Sequence, residues 1–163
     1  MSAQSKLKDL AGLVGWLALC LGVSAIGGAI TRTSVSDWYQ GLSKPSFNPP
    51  DWVFTPVWIL LFILMSVSAW LLWRRTGFKR GRIPLASFGA QLLLNLAWSY
   101  LFFGAQSVGW ALVEIVVLWM AILATVVSFC RVDAIAGLLL VPYLLWSSFA
   151  VALNASIRWL NGA

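Results

Sequence analysis

The chain contains no histidine, and only five of its 163 residues are acidic. Without imidazole it lacks the commonest ligand for metal ions and for haem iron. Its two cysteines, Cys20 and Cys130, are too few and too far apart for a disulfide framework or a metal site. They read as small apolar side chains. Charged residues make up 10% of the chain, where a soluble domain carries about a quarter. There is no phosphate-binding glycine loop, nucleophile elbow or zinc motif. Conventional hydrolase or ATPase chemistry, a metal site and a resident cofactor are therefore not expected.

What the chain has is apolar bulk, 61% of residues, gathered into long runs. Five runs approach or exceed the roughly 20 residues that span a bilayer core. They are about Leu10–Ile30, Pro56–Trp73, Pro84–Phe103, Val108–Phe129 and Ala134–Leu160. The expected fold is all-α: a single domain, 1–163, forming an integral membrane bundle of five transmembrane helices. The alternating segments of a β-barrel are absent. The first run is longer than a signal-peptide core and reads as a retained span.

Eight cations (Lys6, Lys8, Arg74, Arg75, Lys79, Arg80, Arg82 and Arg131) fall on one side of a five-span topology. Arg32, Lys44 and Arg158 fall on the other. The positive-inside rule then puts the N-terminus in the cytoplasm and the C-terminus outside. The helical build favours an inner over an outer membrane. The basic loop reads as a topology signal touching anionic lipid, not as a nucleic-acid site.

Residues 38–58, WYQGLSKPSFNPPDWVFTPVW, join the first two spans. Three tryptophans and four prolines make this a stiff, bulky segment, where a plain connector is small and polar. It is expected to be a shaped outer loop over 31–55, with Pro56 starting the second helix.

The spans have readable faces. Span one aligns Ala11, Gly15, Ala18, Gly22, Ala25 and Ala29, a stripe suited to close packing within the bundle or, alternatively, between subunits. Ala86, Ala90 and Ala97 of span three are a rival seam. Span two aligns Trp58, Phe62, Met65, Ala69 and Trp73; span three aligns Gln91, Asn95, Trp98 and Phe102. Span four sets Trp110 one turn from Glu114, the only acid well inside a span and so a candidate site residue. In span five, Pro142 is expected to kink the helix, and Tyr143, Trp146 (or Ser147), Ala150 and Asn154 share a face. Aromatic walls with a few amides and hydroxyls suit a flat, largely apolar ligand with polar edges.

Together with QLLLNLAWSYLFFGAQSVGWAL (91–112) and PYLLWSSFAVALN (142–154), the 38–58 run resembles the translocator protein family, also known as tryptophan-rich sensory proteins or peripheral benzodiazepine receptors. The chain looks like a bacterial member. The resemblance implies a five-helix bundle, commonly a homodimer, that binds porphyrins, notably protoporphyrin IX. It implies that Trp38, Tyr39, Pro45, Pro50 and Trp52 form or brace a lid. The implied pocket residues are Trp58, Phe62, Asn95, Trp98, Trp110, Trp146, Ala150, Leu153 and Asn154, and the faces above add Glu114 and Tyr143. Some members are reported to degrade protoporphyrin in light, and Trp58 and Trp146 match the tryptophans tied to that activity. The family's sterol-recognition stretch has a tyrosine after its Leu-Asn pair; here Leu153–Asn154 precede Ala155, so sterol is not expected as a partner. Transport is the remaining alternative, though no inverted repeat is visible.

Overall fold

The computed structural model describes residues 3–162, all helix, turn and loop, with no β-strand among them. Six α-helices and one π-helical segment make up five membrane-length spans. These are α1 (Ala3–Arg32), α2 (Asp51–Arg80), α3 (Arg82–Ser99) continued by the π segment Tyr100–Gly104, α4 (Val108–Cys130), and α5 (Ala134–Leu138) with α6 (Val141–Asn161). The protein is an integral membrane protein by this architecture. In lipid every backbone amide must be satisfied within its own segment, so long apolar sequences have little choice but helix.

The core runs down the middle of the bundle. Leu61, Phe62, Met65, Ala69 and Leu72 of α2 meet Phe88 and Leu92 of α3, and Ile115, Leu118 and Ile122 of α4. Phe88 stacks on Phe129 with ring centres 5.9 Å apart. Ser68 Oγ donates to the Ala136 carbonyl at 2.6 Å, fastening α2 to α5. Below Phe62, the aromatic stripe of span two is therefore core.

Several boundaries differ from the sequence expectation, among them α1, which starts at Ala3, and α2, which runs on to Arg80. Helix α2 begins at Asp51, after Pro50, so Pro56 lies inside its second turn and the loop is shortened to residues 33–50. Span five is broken outright. Helix α5 ends at Leu138, and α6 restarts at Val141 with Pro142 in its first turn, where the missing amide hydrogen is not needed. Pro142 thus opens a helix instead of kinking one. Asp133 caps α5, accepting from the amides of Ile135 (2.9 Å) and Ala136 (3.2 Å).

The small-residue stripe of span one does not pack within the bundle. Ala11, Gly15, Ala18, Gly22, Ala25 and Ala29 are all exposed. The inward face of α1 carries Trp16, Cys20, Val23 and Gly27 instead. Close approach happens at Gly12, where the Trp73 indole fills the space a Cβ would need. Ala86 and Ala90 of the rival stripe are exposed as well. Trp70 and Trp73 fasten α1 to α2: Trp70 Nε1 donates to the Asp9 carbonyl at 2.9 Å, and the Trp73 indole lies against Gly12.

Candidate functional site

Between α1, α2, the end of α3 and α6 lies a cavity of about 790 Å³, within the range of small-molecule and cofactor sites. Its walls follow from helix periodicity. Trp58 and Phe62 come from α2 at a spacing of four; Asn95, Trp98 and Phe102 come from span three; Trp146, Ala150, Leu153 and Asn154 come from α6. These residues, with Tyr39 of the loop, are the sequence-expected positions that the structure brings together.

Four others stand elsewhere. Trp110 is 70% exposed on the outer surface of α4 and does not reach the cavity. Glu114 also lies off the cavity wall; both carboxyl oxygens are buried and bond to no described residue. Tyr143 is buried behind the wall, receiving a hydrogen bond from Asn95 Nδ2 at 3.0 Å and packing edge-on to Trp58. Trp38 braces the wall from outside, with its ring 5.6 Å from that of Phe102. Among the lid residues, Trp52 is 74% exposed on the first turn of α2 and belongs to no lid.

The sequence reading missed Phe103, Phe54, Phe149 and the α1 wall at Ala25, Gly28 and Ala29. Phe102 and Phe103 both line the cavity. The π segment widens the helix here, with the Ala105 amide donating to the Tyr100 carbonyl at 2.7 Å. Phe54 sits one turn before Trp58, so the aromatic period extended backward would have found it once the helix start was moved to Asp51.

Polar groups hold the frame. Trp98 Nε1 donates to Asn154 Oδ1 (3.2 Å), and Asn154 Nδ2 donates to the Val108 carbonyl (3.0 Å). One buried amide thus ties α3, α6 and α4 together. Gln91 is buried further down, its Nε2 resting on Met65 Sδ at 3.8 Å.

Loop 33–50 closes the top. Ser34 Oγ donates to the Phe103 carbonyl at 2.6 Å, anchoring its start to the π segment. Tyr39 is buried against Phe102 and Phe103, donates to Asn48 Oδ1 at 3.1 Å, and carries Lys44 Nζ 4.5 Å above its ring. Burial pushes the Tyr39 hydroxyl up to about 12; the Asp51 carboxylate adds to this and the bond to Asn48 opposes it. Gln40 Nε2 bridges to Asp51 Oδ2 at 2.6 Å. Arg32, Gln40 and Asp51 supply polar groups at the mouth. Residues 16–160 match the TspO/MBR family.

The chain belongs to the TspO/MBR family. It is 46% identical over 157 residues to the tryptophan-rich protein TspO of Chlorobaculum tepidum, covering 94% of this chain and 98% of that one. It is 38% identical over 153 residues to the tryptophan-rich sensory protein of Cereibacter sphaeroides (94% and 93% covered). It is 43% identical over 119 residues to the human translocator protein (72% and 70% covered). Family membership and the five apolar spans place it among integral membrane sensory and translocator proteins.

Proposed function

We propose that the protein is a membrane sensor that binds a porphyrin, of the protoporphyrin IX kind, in the cavity beneath loop 33–50. The observation that carries this reading is the cavity itself: about 790 Å³, walled by Trp58, Trp98 and Trp146, with polar groups gathered at its mouth. Indole faces stack on a flat macrocycle, and Arg32 at the rim suits a propionate. With no histidine in the chain, no imidazole is available as an axial ligand, which favours the metal-free macrocycle over haem. The uneven distribution of cations supports a cytoplasmic N-terminus in a bacterial inner membrane. The exposed small residues Ala11, Gly15, Ala18 and Gly22 of α1, and Ala86 and Ala90 of α3, are candidate homodimer seams.

A second reading is light-dependent degradation of the bound porphyrin. It is favoured by one observation, that Trp58 and Trp146 both line the same cavity. Titration of the purified protein with protoporphyrin IX, followed by tryptophan emission, tests the first reading: saturable quenching is expected, and its absence would falsify it. Illuminating the complex tests the second. If the porphyrin band bleaches equally in a Trp58→Phe, Trp146→Phe double variant, those side chains are not the agents.

A further inference from the structure

The chain's formal net charge of +6 is confined to one end of the bundle. The lid half holds three cations (Arg32, Lys44 and Arg158) and three acids (Asp37, Asp51 and Glu114), and so is balanced. The opposite end holds eight cations and two acids, Asp9 and Asp133. Both acids are already engaged. Asp9 Oδ2 lies 3.5 Å from Arg74, and Asp133 Oδ2 lies 2.8 Å from Arg75 Nε. Among the described residues, Lys6, Lys8, Lys79, Arg80, Arg82 and Arg131 have no ion-pair partner.

Three of these six are folded into one turn. Gly77 adopts a left-handed φ of 63°, ending the straight run of α2. The Gly81 amide then donates back to the Gly77 carbonyl at 3.2 Å. A Cβ at Gly81 would collide with Thr76 and with that same carbonyl, so the turn needs glycine to close this tightly. The result is the sequence Phe78-Lys79-Arg80-Gly81-Arg82-Ile83, with Lys79, Arg80 and Arg82 all exposed. Phe78 and Ile83, at 65% and 72% exposed, flank the cations on either side. Phe78 is steadied by Trp73 and Trp16, with ring centres 6.0 and 6.4 Å away.

We infer that this α2–α3 turn is a binding site for an anionic phospholipid of the adjacent leaflet. The order apolar, cation, cation, glycine, cation, apolar matches a lipid's own division. Lys79, Arg80 and Arg82 face the phosphate, and Phe78 and Ile83 face the upper acyl chains. Charge complementarity selects the occupant: a cationic turn with no remaining acid to neutralise it attracts anionic headgroups more strongly than zwitterionic ones, whose own cation opposes it. A soluble phosphate would leave Phe78 and Ile83 uncovered, so the lipid is the better fit. The site lies at the opposite end of the bundle from the cavity and does not depend on what the cavity binds.

The test is native mass spectrometry of the full chain released from micelles containing equal amounts of phosphatidylglycerol and phosphatidylcholine. The wild type is expected to retain phosphatidylglycerol about tenfold in preference. A Lys79→Gln, Arg80→Gln, Arg82→Gln variant is expected to lose most of that preference. Lys6, Lys8, Arg74, Arg75 and Arg131 remain in this variant, keeping the charge bias that orients the chain. A charge-conserving Lys79→Arg, Arg80→Lys, Arg82→Lys variant is expected to retain the preference, and Lys44→Gln at the far end to leave it unchanged. Melting temperature gives a second readout: phosphatidylglycerol nanodiscs should raise it for the wild type and not for the glutamine variant. Equal retention of the two lipids by the wild type overturns the proposal. So does an unchanged preference in the glutamine variant, or equal stabilisation by inorganic phosphate.

Discussion

Asn161, at the last turn of α6, pairs with the backbone of Ser43 as a second strand would. The Ser43 amide donates to Asn161 Oδ1 at 3.0 Å, and Asn161 Nδ2 donates to the Ser43 carbonyl at 2.9 Å. The two residues are 118 positions apart, and the pair holds the far side of the loop down on the bundle. Two exposed hydrogen bonds contribute about 0.5–1.5 kcal/mol each to the closed loop. Asn161→Ala is therefore expected to speed protoporphyrin release by about tenfold, measured by stopped-flow displacement. Identical release rates would show that the loop does not gate the cavity.

Two tryptophans within the family motifs separate cleanly by position. Trp146 lines the cavity and packs on Phe54 and Phe149, whereas Trp110 is exposed on the outer face of α4. Trp146→Ala should weaken porphyrin binding by one to two orders of magnitude, by analogy with about 1–3 kcal/mol for a ring stacked on an aromatic. Trp110→Ala should leave it unchanged. Emission-quenching titrations of both variants decide this, and an equal loss in the two would mean that the ligand sits elsewhere.

Asn154 is the keystone of the cavity frame. Replacing it with alanine frees the Trp98 indole and the Val108 carbonyl together. Bonds of this type between membrane helices contribute about 0.6–2 kcal/mol each. Asn154→Ala should lower the unfolding midpoint in detergent, while Asn154→Gln recovers little because the longer arm misses one partner. Circular dichroism melts of the three proteins provide the comparison.

Asp133 has two roles, capping α5 and meeting Arg75. Arg75 is more than half exposed, so solvent screens the pair and its share is small. The cap at a buried residue is the larger contribution, about 1 kcal/mol. Asp133→Ala should therefore destabilise more than Arg75→Gln does. The opposite order in thermal melts would put the weight on the ion pair.

Alkaline pH tests the lid. Tyr39 ionises near 12 in the folded protein, above the usual value of about 10. Below about pH 10 the hydroxyl is neutral whether the loop is closed or open, and its contribution is fully present. Between about 10 and 12 the released loop gives up a proton that the closed loop retains, so rising pH favours opening. Wild-type porphyrin affinity should fall across that window, and Tyr39→Phe should fall less. Parallel curves for the two proteins would remove Tyr39 from the lid.

Much of this was written into the linear pattern. Apolar runs without charge have one structural outcome in lipid, so the spans were legible to within a few residues at most ends. Trp58, Phe62, Asn95, Trp98, Trp146, Ala150, Leu153 and Asn154 share a cavity because each lies on the right face of its own helix. Periodicity defines a face but not the neighbour that face meets. That is why Trp110 and Glu114, one turn apart and chemically suggestive, share a face in the sequence yet do not line the cavity. The same gap explains the stripe of α1, whose small residues remain uncovered while Gly12 and Gly27 make the contacts. Backbone departures were hidden for another reason. Nothing in Tyr-Leu-Phe-Phe-Gly distinguishes a π turn from an α turn, and the break before Pro142 follows from Pro142 only once its place in the first turn is known.

The π segment makes the cavity's dimensions depend on backbone counting. The aim of the Phe102 and Phe103 rings depends on the Tyr100 carbonyl bonding five residues ahead. Deleting one residue from this stretch would restore the ordinary four-residue bond and turn everything beyond it by about 100°. Both rings would be re-aimed, and the Phe103 carbonyl would swing away from Ser34. The segment therefore works as a spacer whose length is measured in residues: conservative changes of side chain leave the cavity's outline intact, and a single insertion or deletion does not.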